Sequence, residues 1–375
     1  MPLRRPLAAL SLAAALAAAP ALAQTFDTSA GPVRVDRMVD GVTEPWGFAF
    51  LPDGGVLITE KAGDLRLWRD GALSGPISGV PEVTDSGQGG LLDVALARDF
   101  AETREVYLSY SRPDGFRSSQ TAVARARLSD DGSALENVED IFRQIPSQAS
   151  GRHFGSRIVV AEDGSLFVTI GDRGERQKAQ DLAAHQGSLL RIMRDGSPHP
   201  ENPFIGNGRG WLPEIYSYGH RNQQGATLAP DGTLWTVEHG AAGGDEINRP
   251  EVGVNYGWPT ISYGTHYSGA KIGVGREAEG MAQPRHYWDP SIAPSGLAWY
   301  DGEMFPEWRG DLLVGALKYR LISRLDVEGG EIVGEERLFA DEFGRVRDVR
   351  QAPDGSIWFA TDQRDGGLYR ISRAN

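Results

Sequence analysis

A short turn, Pro-Asp-Gly or a close variant, recurs along the chain with apolar runs on both sides, and no other feature restricts the fold as tightly. The clear copies are Pro52-Asp53-Gly54, Glu162-Asp163-Gly164, Pro230-Asp231-Gly232 and Pro353-Asp354-Gly355. Proline presets φ and glycine accepts φ > 0, so each copy reverses the chain within a few residues. Alternating runs follow each turn, as in Leu166-Phe167-Val168-Thr169 and Ile357-Trp358-Phe359-Ala360, and others precede it, as in Ile158-Val159-Val160. The unit is therefore a β-hairpin. Two degraded copies lie around Arg98-Asp99-Phe100 and between Glu307 and Asp311. Turn aspartates recur every 43 to 80 residues, and several hairpins continue into a third strand, such as Leu65 to Trp68 and Leu368 to Ile371. Six such meanders predict an all-β, six-bladed β-propeller. A sandwich or jelly roll leaves the recurrence unexplained. Helical patterning is scarce; the best stretch, Arg176 to Ala184, falls in a loop. The longest insertion, from about Tyr263 to Pro284, is glycine-rich and reads as a surface loop over one face. No linker divides the chain, so residues 24–375 read as a single domain.

Residues 1–23 stand apart from this pattern. Arg4 and Arg5 precede an apolar run, Leu7 to Ala19, too short to span a bilayer, and Ala21-Leu22-Ala23 forms a small-residue cleavage site. This is the pattern of a secretory signal peptide, with the general export route favoured over the twin-arginine one. The expectation is a periplasmic or secreted protein with no membrane insertion. The chain has no cysteine, so it must be stable there without disulfides, which its length allows. Removing the signal takes away two arginines and leaves 36 basic against 51 acidic residues, a net charge of −15. That disfavours nucleic acid and anionic membranes as partners.

The inner strands of a propeller surround a central channel, and loops at one end bring residues from every blade together. His153, in Arg152-His153-Phe154-Gly155-Ser156-Arg157, and Asp172, in Asp172-Arg173-Gly174, fall at the same end of one meander. A carboxylate beside an imidazole orients it and raises its basicity, as a general base needs; the alternative is a turn cap beside a polar loop residue. Gln88, Arg221-Asn222, Ser291, Lys318, Arg345 and Arg347 fall at matching blade positions. Four cations among them, Arg221, Lys318, Arg345 and Arg347, call for a multi-carboxylate or phosphorylated ligand. Alternatively each arginine pairs with a nearby acid, Asp348 being the obvious candidate. A second cluster, Glu238-His239-Gly240-Ala241-Ala242-Gly243-Gly244-Asp245-Glu246, offers carbonyl and carboxylate oxygens suited to Ca2+, or is simply a long hairpin loop.

Taken in order, Gly-Gln-x-Gly-Leu-Leu, Arg-His-x-Gly-Ser-Arg, Ile-Gly-Asp-Arg-Gly, Gly-His-Arg-Asn, Gly-Gly-Asp-Glu-Ile-Asn, Asn-Tyr-Gly-Trp-Pro, Leu-Lys and Arg-x-Arg-Asp resemble the soluble pyrroloquinoline quinone (PQQ)-dependent aldose sugar dehydrogenase family, relatives of soluble quinoprotein glucose dehydrogenase. The resemblance runs from Glu44 to Ile371. It implies PQQ across the channel mouth, with His153 as the base toward the sugar C1 hydroxyl, Asp172 orienting it and Arg221 stabilising negative charge. It implies that Gln88, Arg221, Asn222, Ser291, Lys318, Arg345 and Arg347 hold PQQ, and that the carbonyls of Gly240 and Ala241 bind the activating Ca2+. Glu246 and Tyr256 resemble ligands of a separate, structural Ca2+. An aldose would become a lactone, and an external acceptor would take the electrons. Three positions depart from the better-known glucose dehydrogenase branch: Arg152 where that branch has an acid, His266 at a Ca2+ carboxylate position, and Asp289 at a pocket tryptophan. Two other functions fit a six-bladed propeller: a calcium-dependent, lactonase-like hydrolase and a non-catalytic extracellular binding module.

Overall fold

A computed structural model describes residues 24–374. The expected signal peptide, residues 1–23, lies outside the described residues. All six expected hairpins form. Their first strands are Pro45–Phe50, Leu91–Leu96, Gly155–Val160, Gln223–Leu228, Pro294–Trp299 and Val346–Gln351. Each pairs antiparallel with the strand that follows it and lies at the inner edge of its own sheet. Each innermost strand packs against that of the next blade, and the last packs against the first. The ring is closed, and the fold is the expected six-bladed β-propeller. The glycines of the four clear turns, Gly54, Gly164, Gly232 and Gly355, all have φ between 78° and 85°, as such turns require. In the two degraded turns a short helical turn replaces Pro-Asp-Gly, at Phe100–Thr103 and Pro306–Trp308.

Closure uses both ends of the chain. Gly366–Arg373 is the third strand of the last blade, and Gly31–Val42 adds beside it, with Gln24–Thr28 outside that. Val33, Val35, Val39 and Val42 of the added strand are buried. The helical pattern over 176–184 shrinks to one 3-10 turn, Arg176–Gln180. The glycine-rich insertion belongs to a longer connection, residues 249–285, between the last two strands of the fourth blade. Among the described residues, no helix is long and apolar enough to cross a membrane.

All six innermost strands carry a register shift near their start: between Pro45 and Phe48, Leu91 and Val94, Gly155 and Ile158, Gln223 and Gly225, Pro294 and Leu297, and Val346 and Asp348. Such bulges bend a strand and re-aim its side chains. A hydroxyl on the neighbouring strand fixes three of them. Thr169 Oγ1 accepts the Arg157 N–H (2.9 Å) and donates to the Gln223 carbonyl of the next blade (3.0 Å); Ser109 does the same one blade earlier and Thr59 two blades earlier. The bulges turn charged residues into the channel. Arg157 pairs with Asp93 (3.0 Å) and Asp348 (3.1 Å), and Arg350 reaches both acids from the other side (2.5 and 2.9 Å). These four groups are electrically balanced and block the channel midway.

Candidate active site

The loop before the third blade carries His153 in the left-handed region, φ 54°, which few non-glycine residues adopt. Two bonds hold it there. The His153 N–H donates to Gln88 Oε1 (2.6 Å), and the Gly155 N–H donates to Asn222 Oδ1 (3.1 Å). Gly155 must lack a side chain, since φ is +67° and a Cβ would lie 2.6 Å from the Thr169 carbonyl oxygen. His153 Nδ1 meets Asp172 Oδ1 at 2.6 Å. An ionised carboxylate accepts only, so Nδ1 carries the proton and Nε2 presents a lone pair. Asp172 is buried, and it also accepts from the Gly174 N–H (2.7 Å) and Trp258 Nε1 (2.8 Å). Burial opposes its charge, but the His153 bond and the Arg221 charge outweigh this and hold the carboxyl below its usual range. Burial pushes His153 below the ordinary imidazole range; Asp172 opposes this, while Arg221 and Arg152 reinforce it. At neutral pH the imidazole is therefore uncharged and able to take a proton.

Beside this pair opens a cavity of about 420 Å3 whose wall includes Gln88, Asn222, Gln224, His239, Arg345 and Arg347. Arg345 and Arg347 are not partnered by Asp348, as the sequence suggested. Both bond Asp362, at 3.0 and 2.7 Å, while Asp348 faces the channel plug. Arg347 is the extra residue of the bulge between Val346 and Asp348, so its side chain is aimed at the cavity while that of Asp348 goes to the plug. Lys61, also on the wall, adds a further cation, paired with Asp85. Arg221 sits nearer the base, its guanidinium bonded to the His239 carbonyl (3.1 Å) and 5.3 Å from the centre of the Trp258 ring. Arg221 is therefore not on this wall, and two other expected residues are not on it either. Lys318 is exposed, with Nζ 5.1 Å from the Tyr319 ring centre. Ser291 is drawn away by the buried Asp245 carboxylate, to which its hydroxyl donates (2.7 Å).

The glycine-rich loop is anchored by that same carboxylate. Asp245 accepts from the N–H groups of Gly240 (2.8 Å), Ile292 (2.8 Å) and Ala293 (2.9 Å). Among the described residues the carbonyls of Gly240 and Ala241 accept no hydrogen bond, so both are available to a hard cation. A void of about 10 Å3, the scale of one water or cation, lies between Glu238, Gly240, Glu246, Tyr256 and neighbours. Burial and the nearby Glu238 carboxylate raise the Glu246 carboxyl above its usual range, a repulsion that a cation would relieve. The Tyr256 hydroxyl is taken up by the Arg249 carbonyl, to which it donates (2.6 Å). His266 faces the Arg176 guanidinium (3.2 Å).

The profile of the glucose/sorbosone dehydrogenase family matches residues 42–370. The chain belongs to this family. It is 44% identical to the aldose sugar dehydrogenase YliI of Escherichia coli (strain K12), over 98% of this chain and 97% of that one. It is 26% identical to quinoprotein glucose dehydrogenase B of Acinetobacter calcoaceticus, over 89% and 86% of the two chains. The solved soluble aldose sugar dehydrogenase of Escherichia coli, in its apo form, superposes with a TM-score of 0.89 at 44% identity, covering 91% of this chain and all of that one. The PQQ-bound aldose sugar dehydrogenase of Streptomyces coelicolor gives 0.76 at 27% identity, covering 91% and 98%. This glucose/sorbosone dehydrogenase family member is an oxidoreductase, which removes the hydrolase and binding-module readings.

Several site residues escaped the sequence reading. Lys61 and Asp362 each begin the loop after the second strand of a blade, and Asp172 is the second residue of the same loop in the third. That positional match was a usable signal. Gln224, whose Oε1 accepts from Arg347 (3.2 Å), sits in a bulge and had none. Trp258 had only its place in Asn-Tyr-Gly-Trp-Pro. Of the departures, Arg152 is exposed beside the base, and Asp289 is exposed with its carboxylate against Gly243.

Proposed function

We propose that this family member oxidises aldose sugars at C1 to the lactone, with PQQ and Ca2+, and passes the electrons to an external acceptor. The observation that carries this reading is a neutral, carboxylate-oriented imidazole at the edge of a cation-lined cavity. Arg345, Arg347, Asn222 and Gln88 would hold PQQ, a planar tricarboxylate, with Arg221 on its base side. Lys318 is one residue from the cavity-lining Leu317 and would join by rotating away from Tyr319. The free carbonyls of Gly240 and Ala241 would hold the activating Ca2+, and Glu246 with the Tyr256 carbonyl a structural one. When bound, PQQ would supply the hydride-accepting chemistry that no side chain offers, with Ca2+ as Lewis acid.

The protein's own part is proton transfer. His153 Nε2 takes the proton of the C1 hydroxyl while Asp172 stabilises the growing imidazolium through Nδ1–H. Arg221 stabilises negative charge developing nearby. Export to the periplasm rests on the pattern of residues 1–23. The test is His153→Gln. It should keep PQQ binding, seen as an absorbance change on titration, and lose dye-linked aldose oxidation by at least about 10²-fold. Wild-type turnover in the PQQ-loaded variant would sink the reading.

A further inference from the structure

We infer that Trp258 is a third member of the proton-accepting relay, a positioning residue that sets the basicity of His153 through Asp172. Trp258 lies in the connection after the third strand of the fourth blade, 86 residues from Asp172. Its ring is buried against Ala179 and Ile272, with Ala241 alongside. Its main chain is fastened independently of the relay: the Trp258 N–H donates to the Gly219 carbonyl (2.8 Å), and the Gln180 amide donates to the Trp258 carbonyl (2.8 Å). Gln180 ends the 3-10 turn that follows Asp172 in the chain, so the tryptophan segment and the aspartate loop are tied twice. The indole is thus held in place for its Nε1–H to meet Asp172 Oδ2 at 2.8 Å.

The chemistry follows from how a carboxylate shares its charge. Asp172 Oδ1 takes the His153 Nδ1–H and the Gly174 N–H, while Oδ2 takes the indole. A donor on Oδ2 draws electron density from Oδ1 and weakens its pull on Nδ1–H, which disfavours the imidazolium. It also fixes the carboxylate plane, and with it the direction of Nε2. The ring face meanwhile carries the Arg221 guanidinium, 5.3 Å from its centre. One side chain therefore spaces the orienting acid from the cation that faces the base. The other charged or titratable groups acting on His153 are Arg152 and His239, and Arg173 faces Asp172. Neither Arg152 nor His239 shares a hydrogen bond with the indole. Phenylalanine or methionine would fill the same apolar space without a donor, so a packing role alone does not account for the 2.8 Å contact.

This inference rests on the reading of His153 as base, and its test is independent of PQQ and sugar. The imidazole of His153 is titrated by 15N NMR in the apoprotein, its signal identified by its loss in His153→Gln. Trp258→Phe keeps an aromatic ring and removes the donor, so the imidazole pKa should rise by about 0.5–1 unit, the scale of one lost hydrogen bond to a charge shared along the relay. In an Asp172→Asn background the same substitution should cause no such rise. An unmoved titration, or an equal shift with and without the Asp172 charge, would overturn the relay and leave Trp258 as packing. If Trp258→Phe does not fold, the wild-type chain grown with 5-fluorotryptophan, whose indole N–H is a stronger donor, should move the imidazole the opposite way, and no movement overturns the proposal. Failure of sugar oxidation with a normal titration shift would count against the function and not against the relay.

Discussion

Replacing Arg157 with methionine should destabilise the propeller through charge rather than volume. Its guanidinium is 4% exposed and bonds Asp93, Asp348 and the Gln224 carbonyl, while lying 4.6 Å from the Trp46 ring centre. Methionine preserves much of the stem but leaves two buried carboxylates against the single cation of Arg350. Breaking a buried pair from one side costs about 3–5 kcal/mol. Main-chain donors at Val94, Ile158 and Val349 still serve the acids, which favours the lower end of that range. An unfolding entropy of about 2.1 cal/mol/K per residue over about 350 residues is roughly 0.7 kcal/mol/K, so Tm should fall by about 4–7 °C. Differential scanning calorimetry reads this directly. Adding Asp93→Asn to Arg157→Met restores the balance of one acid to one base, so the double variant should melt above the sum of the two single effects. Strict additivity, or an Arg157→Met protein melting like wild type, would show that the four groups do not act as one charge-balanced plug.

Three other outcomes follow from the site. Arg347→Ala should weaken PQQ binding by about 1.5–3 kcal/mol, whereas Asp362→Asn, which frees two arginines from a competing carboxylate, should tighten it; equilibrium titration of both variants reads the opposite signs. Sugar oxidation should rise with pH along a limb lying below the ordinary imidazole range, because burial lowers His153. Asp172→Asn removes the charge that favours imidazolium, so it should move that limb lower still while reducing the maximal rate, as steady-state pH profiles would report. Exhaustive chelation should abolish dye-linked activity and lower Tm, since an ion that binds only the folded chain stabilises it.

What could be read from the sequence was what is local. Pro-Asp-Gly specifies its turn by itself, and a meander of known length puts His153 and Asp172 at one end whatever the rest of the chain does. Pairings between distant segments could not be read this way. Residues 31–42 find their partner more than three hundred residues later, at Gly366–Arg373, and nothing in their own pattern names it. The partner of Arg347 was misjudged because adjacency along a strand was taken for adjacency in space. Asp362, fifteen residues on in sequence, shares its face, and Asp348, the next residue, does not. Trp258 was invisible for a related reason: its N–H matters only because a long connection folds back over the aspartate loop.

The bulges explain why so many unlike residues meet at one mouth. A regular innermost strand alternates its side chains between the two faces of its blade, and few of them would point along the channel. Shifting register once, at the same level in all six blades, turns Trp46, Asp93, Arg157, Gln224 and Arg347 toward the axis. The result is a partition. Below, a well of about 530 Å3 opens to the opposite face and ends on Arg157, Asp348 and Arg350. Above, the cationic cavity begins at Trp46 and Gln224, both of which touch Arg157. Because the four plug charges satisfy one another, none is left to compete for an anion above them. Arg345 and Arg347, both shared with Asp362, supply the positive charge of this pocket, and Arg347, much the more buried of the two, is where the attraction for a carboxylate is less screened.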